Sequence, residues 1–214
     1  MKQSVEEFSK ITAILRGYDY AQVETAVTVL CGSVISAVEI TLNHPDAKDI
    51  IRRIVDKFGD RIAVGAGTVL SAEDLQDVVE AGVDFVLAPS LFSRDMLNYC
   101  RHHQVISVPG ALSPSEVYQC VKDGADIIKI FPAGTVGSKY FKDIQAPFGP
   151  LPLMAVGGIH AGNIAEYLHA GASYVGIASG LFRKEDIAGG NTTGMQRSLE
   201  EFALQMEGVD GEQC

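Results

Sequence analysis

Ile127-Ile128-Lys129-Ile130-Phe131-Pro132 is an apolar run broken by one lysine and closed by a proline. Its length suits a strand, and apolar residues at successive positions mark a strand covered on both faces, as in a parallel sheet under helices. Comparable runs lie on either side of it, spaced by roughly 20 to 25 residues. They fall at 11–15, 37–42, 62–67, 85–89, 105–109, 153–156 and 174–179, each followed by Gly, Pro, Ser or Asn and then by a segment with helical spacing.

Eight such runs joined by crossover helices let a parallel sheet close on itself. The expected class is therefore α/β, and the architecture a (β/α)8 TIM barrel with a short N-terminal helix within 1–10. An open doubly wound sheet is the competing arrangement, but it needs a topological switch. Helix starts set the phase of the repeat: Ser71 precedes Ala72, Glu73 and Asp74, and Ser113-Pro114-Ser115-Glu116 combines an N-cap, a first-turn proline and an acid. Ala81-Gly82, Asp123-Gly124 and Ala170-Gly171 read as helix ends. A helix is expected at 161–169 and a loop at 189–193.

The chain has 214 residues, 47% hydrophobic and 21% charged, which fits one sizeable core. One domain is expected over 1–207, with a frayed tail at 208–214. A net charge of -10 without a Lys/Arg cluster argues against nucleic acid, yet leaves room for a small anionic substrate. Cys31, Cys100, Cys120 and Cys214 have no CxxC spacing, and no basic-then-apolar segment opens the chain, so a cytoplasmic protein without disulfides is expected. No uninterrupted apolar stretch reaches membrane-spanning length.

Lys129 is the most informative residue. Burying an ammonium in an apolar strand is costly, and burial lowers its pKa toward the neutral amine that attacks carbonyls. Strand alternation sets Lys129 on the face opposite Ile128 and Ile130, near the C-terminal end where barrel active sites sit. A lysine snorkelling from the strand end is the bland alternative. Glu39, in Ala37-Val38-Glu39-Ile40-Thr41-Leu42, repeats the anomaly with a carboxylate able to move protons, or to form a structural salt bridge with Lys129 or Arg16.

Arg16, followed by Gly17, suits a guanidinium gripping a carboxylate or phosphate, or equally a surface arginine. Gly157-Gly158 and Ser179-Gly180 close the last two strands, where barrels place backbone N–H groups for phosphate, although glycine pairs are common in any turn. Gly65-Ala66-Gly67-Thr68 lacks the spacing of a nucleotide loop and reads as a strand end with Thr68 facing the pocket. His102, His103, His160 and His169 lack metal-site spacing, so no metal is implied.

From 11 to 182 the chain resembles the 2-keto-3-deoxy-6-phosphogluconate / 4-hydroxy-2-oxoglutarate aldolase family of class I aldolases. The resemblance rests on AILRG at 13–17, VEITL at 38–42, GAGTV at 65–69, Pro109-Gly110, KIFPA at 129–133 and VGGI at 156–159. It implies a Schiff base on Lys129, general acid/base work by Glu39, and Arg16 and Thr68 as ligands of the pyruvate half. It also implies Gly157, Gly158 and Ser179 at the distal phosphate, Pro89 and Phe131 as pocket walls, a homotrimer, and no cofactor. The implied substrate is a 2-keto-3-deoxy-6-phospho sugar acid, cleaved to pyruvate and glyceraldehyde 3-phosphate.

Many phosphogluconate-type members have arginine and threonine where this chain has Asn43 and Val156. Those two residues look like the phosphogalactonate-type branch, although Thr41 stands where that branch usually has proline. Asn43 and Val156 are thus the expected specificity positions, with the C4 epimer open. Two competitors remain: a catalytically silent sugar-phosphate-binding barrel, and a barrel enzyme of the thiamine-phosphate-synthase type, which needs a metal-binding acidic set not found in the sequence.

Overall fold

A computed structural model describes residues 5–210. After a single 3-10 turn at Val5–Glu7, strands and helices alternate through β1 (Ile11–Leu15), α1 (Tyr20–Leu30), β2 (Ala37–Thr41), α2 (Ala47–Phe58), β3 (Ala63–Gly67) and α3 (Ala72–Glu80). There follow β4 (Phe85–Leu87), α4 (Arg94–His103), β5 (Ile106–Val108), β6 (Gly110–Ala111), α5 (Pro114–Asp123) and β7 (Ile128–Ile130). The rest is α6 (Ala133–Val136), α7 (Lys139–Phe148), β8 (Leu153–Val156), α8 (Ile164–His169), β9 (Tyr174–Ile177), α9 (Lys184–Ala188) and α10 (Thr192–Asp210).

All strand pairings are parallel, in the order β5-β4-β3-β2-β1-β9-β8-β7-β6. The two ends of this order, β5 and β6, are one stretch of chain on either side of Pro109. Proline has no N–H to give a ladder, so the run divides: β5 pairs with β4 and β6 with β7. Counting the divided run once gives the eight-stranded closed barrel expected.

Alternation then sorts the core. Val38, Ile40, Val64, Ala66, Ile128 and Ile130 face outward into the layer beneath the helices. Ile14, Ala37, Phe85, Val108, Met154 and Val156 face inward and fill the barrel. Phe8 closes the floor of that inner cluster, edge-on to Phe85 at 5.0 Å between centroids. Burying a side chain of this size contributes about 1.5–3 kcal/mol.

The caps set the loops. Ser71 accepts from the Asp74 N–H, and Ser113 and Glu116 form a reciprocal capping box ahead of α5. Gly124 ends α5 in the left-handed region at φ 79°.

Several expected elements differ. The N-terminal helix is only the 3-10 turn, with residues 1–4 outside the described part, because Phe8 turns into the barrel floor instead of continuing an amphipathic face. The helix expected at 161–169 begins at Ile164: Asn163 accepts from the His160 N–H and donates to the Gly158 carbonyl, holding 160–163 in a turn. In the 189–193 segment the last helix starts at Thr192, and it runs to Asp210, so residues 208–210 of the expected tail are helical; 211–214 lie outside the described part. Among the described residues no helix is long and apolar enough to cross a membrane.

Candidate active site

Lys129 stands in the middle of β7 on the inner face, its backbone N–H donating to the Pro109 carbonyl at 2.9 Å. It is 3% exposed, so it does not snorkel. Its Nζ lies 5.1 Å from the centre of the Phe131 ring. Burial depresses its pKa below the ordinary lysine value, Glu39 opposes that shift, and Arg16 reinforces it.

Glu39 is fully buried on the inner face of β2. Burial raises its carboxyl pKa, while Lys129 and then Arg16 pull it back. Neither carboxyl oxygen has a hydrogen-bond partner. The salt-bridge alternative therefore fails: the two groups feel each other's charge without being locked together. Burial shifts the two groups toward each other, the amine downward and the carboxyl upward, which favours proton exchange at this site.

The mouth is organised by Asn43. Its Oδ1 accepts from Arg16 at 3.1 Å and from the Thr68 hydroxyl at 3.4 Å, so one amide oxygen gathers two residues expected to hold the pyruvate half. Thr68 takes φ 59°, a left-handed conformation that costs a β-branched residue about 1–3 kcal/mol. Such strain is characteristic of functional sites, and here it turns the hydroxyl toward Asn43.

Gly157 and Gly158, both at positive φ, pack on the turn that follows β7. A Cβ on Gly157 would lie 3.3 Å from the Phe131 ring, and the Gly157 carbonyl accepts from the Gly134 N–H at 2.8 Å. The glycine pair thus abuts the segment that carries Lys129. Ser179 is exposed just past β9 and shares a cleft of about 250 Å³ with Arg16, Tyr18 and Phe182. Pro89 lies exposed at the end of β4, its backbone so close to Gly110 that a Cβ there would come within 2.5 Å. Val156 is 4% exposed and faces inward.

All the expected residues therefore belong to the C-terminal face of the barrel or the interior beneath it. A larger cleft of about 910 Å³ lies elsewhere, between the end of α1 and α10; Glu200 is its only charged lining residue, and it contains none of them. Sequence reasoning did not anticipate Asn43 as the organiser of Arg16 and Thr68, or Gly67 as the residue that makes room for Glu39. The GAGTV string holds Gly67, but nothing in it points to β2.

Inward-facing ionisable side chains at the C-terminal end of a parallel (β/α)8 sheet define a barrel enzyme. The model of the KDPG and KHG aldolase family matches residues 3–197, and the chain belongs to that family. It is an aldolase, a carbon–carbon lyase. Over 174 residues it is 31% identical to the 2-dehydro-3-deoxy-6-phosphogalactonate aldolase of Escherichia coli (strain K12), covering 81% of this chain and 84% of that one. The solved native KDPGal structure superimposes with TM-score 0.86 at 28% identity, over 94% of this chain and 96% of the other. The KDPG aldolase of Legionella pneumophila, solved with pyruvate captured at low pH as a covalent carbinolamine intermediate, gives TM-score 0.83 at 26% identity, over 91% and 94%.

Proposed function

We propose that this aldolase cleaves a 2-keto-3-deoxy-6-phospho sugar acid to pyruvate and glyceraldehyde 3-phosphate through a Schiff base on Lys129. One observation carries the reading: a buried amine and a buried carboxyl without hydrogen-bond partners for its oxygens share the barrel interior.

The neutral amine of Lys129 attacks the C2 carbonyl to give a carbinolamine, and loss of water gives an iminium ion. The Glu39 carboxylate takes the C4 hydroxyl proton. The C3–C4 electron pair moves into the iminium, the aldehyde leaves, and an enamine remains. Protonated Glu39 returns a proton to C3, and water hydrolyses the resulting iminium, freeing pyruvate and Lys129. Because burial lowers the Lys129 pKa, its amine is available at lower pH than that of an exposed lysine.

Arg16 and Thr68 take the carboxylate end, Gly157, Gly158 and Ser179 the phosphate, and Pro89 and Phe131 the walls. Val156 and Asn43 support the galactonate epimer at C4. The homotrimer implied by the resemblance and the cytoplasmic location expected from the cysteine spacing belong to the same reading, and sedimentation in solution tests the first.

Reduction with borohydride in the presence of pyruvate is expected to leave one covalent adduct, on the peptide containing Lys129. Folded protein with Lys129 unmodified overturns the Schiff-base reading. Pyruvate release from both epimers then separates an enzyme from a silent binding barrel, which would bind without turnover.

A further inference from the structure

Ser179 lies between two clefts of nearly equal size. One, of about 250 Å³, is lined by Ile14, Arg16, Tyr18 and Ile187 as well as Ser179. The other, of about 240 Å³, lies toward α10 and is lined by Gly180, Arg183, Ser198 and Glu201 as well as Ser179. Each is smaller than the roughly 300 Å³ at which pockets for whole ligands begin, so each takes one end of a ligand. Their charges separate them. Arg183 shares its cleft with the Glu201 carboxylate, which opposes an anion, whereas Arg16 is the one charged residue lining the other. A phosphate dianion is therefore favoured on the Arg16 side of Ser179.

Beside Arg16 and Ser179, the polar lining residue of that cleft is Tyr18. Four of the seven tyrosines give their hydroxyls a partner: Tyr20 donates to Glu24, and Tyr140, Tyr167 and Tyr174 donate to the carbonyls of Leu112, Ala133 and Val5. Tyr99 and Tyr118 stand on α4 and α5 with their rings against His103 and Phe148. Tyr18 is half-buried, and its hydroxyl has no hydrogen bond among the described residues. Its backbone is nonetheless fixed on both sides. Gly17 turns the chain at φ 73°, and Asp19 and Gln22 form a reciprocal capping box at the start of α1. A donor held in place without a partner is preorganised for a ligand.

We infer that Tyr18 is a specificity-determining residue whose hydroxyl donates a hydrogen bond to the distal phosphate of the substrate, selecting the phosphorylated acid over the same acid without phosphate. The inference rests on the reading above that puts the phosphate at Ser179, and adds a side-chain donor which that reading does not use. Burial raises the Tyr18 hydroxyl above its ordinary pKa, so it keeps its proton beside a dianion. A hydrogen bond to an ionised acceptor is roughly twice as strong as a neutral one. The same hydroxyl therefore holds a phosphate better than the alcohol that replaces it.

The test uses the full chain, Tyr18→Phe, which removes only the hydroxyl, and Arg183→Gln, which removes the cation of the neighbouring cleft. Pyruvate release gives kcat/KM for the 6-phospho sugar acid and for its unphosphorylated counterpart. Borohydride trapping of pyruvate on Lys129 reports that each variant is folded. The parent is expected to prefer the phosphorylated acid. In Tyr18→Phe, kcat/KM for that acid is expected to fall about tenfold, mainly through KM, with the unphosphorylated acid within about twofold and trapping at the parent extent. Arg183→Gln is expected to keep the parent's preference within about twofold.

The parent's preference retained in Tyr18→Phe overturns the inference alone. An equal fall with both acids places the hydroxyl on a part they share and also overturns it. Loss of trapping in Tyr18→Phe assigns the hydroxyl to the fold, against the inference. Loss of the preference in Arg183→Gln moves the phosphate to the neighbouring cleft, with the same result. A parent that cleaves both acids alike overturns the phosphate reading and this inference with it.

Discussion

The Glu39 carboxyl occupies the space in which Gly67 would carry a side chain: a Cβ there would fall 1.6 Å from Oε1 and 2.3 Å from Cδ. Gly67 is not among the positive-φ residues, so its backbone conformation does not demand glycine. The acid on β2 is in place because Gly67 on β3, two residues beyond the register partner Gly65, has no side chain.

Gly67→Ala is the direct consequence. The new methyl must displace the carboxyl, since real Cβ atoms do not approach other atoms so closely. A displacement of this kind in a proton-transfer group costs about 100-fold in kcat. Borohydride trapping of pyruvate on Lys129 is expected to be less affected than turnover, because the amine on β7 is untouched. Turnover within about threefold of the parent would show that the carboxyl has no fixed place in the chemistry.

Glu39 also makes stability depend on pH. Its folded pKa is raised by burial above the unfolded value, with Lys129 and Arg16 opposing. The stability it contributes is therefore complete below the unfolded pKa and is lost as pH rises through the folded one. Glutamine does not titrate. Glu39→Gln is expected to match the parent at acid pH and to exceed it in stability on the alkaline side, with turnover lost. Thermal unfolding across pH reads this, and a pH-independent difference contradicts it.

What could be read from the sequence follows from what is local. The eight apolar runs, the caps at Ser71 and Ser113, and the charges of Glu39 and Lys129 within apolar strands are each visible in a few adjacent residues. The division of the fifth run at Pro109 depends on which neighbours each half meets, and the turn at 160–163 on a side chain folding back to Gly158. The fit of Glu39 over Gly67 and the gathering of Arg16 and Thr68 by Asn43 join residues from different strand ends. Such contacts are set by strand register, which hydrophobic pattern alone does not specify when both faces are buried.

Asn43→Ala tests the organisation of the mouth. Without the amide oxygen, Arg16 and Thr68 lose a shared acceptor at 3.1 and 3.4 Å. Arg16 is exposed, so it gains freedom rather than an unpaired buried charge. The expected result is a rise of about five- to tenfold in KM with kcat within about twofold, the pattern of weakened uniform binding. Asn43→Asp places an anion against Arg16 and competes with the substrate carboxylate, so its KM is expected to rise further. An unchanged KM in both variants would detach Arg16 from substrate binding.

Val156 is the interior residue proposed to meet C4 of the substrate. It closes β8 directly before Gly157, is buried, and packs where a side chain on Gly176 would come within 2.9 Å of it. A wall of valine selects by shape alone, because it has no donor or acceptor for a substrate alcohol. Threonine has nearly the same outline and adds a hydroxyl, so Val156→Thr tests chemistry with little change in packing. If this wall faces C4, the ratio of kcat/KM for the gluconate epimer over the galactonate epimer should rise about tenfold, the worth of one good hydrogen bond. Pyruvate release from each epimer measures that ratio. The same ratio in parent and variant would show that C4 is read elsewhere, leaving Asn43 as the remaining expected specificity position; a fall in both rates together would show that the hydroxyl disturbs the wall and recognises neither epimer.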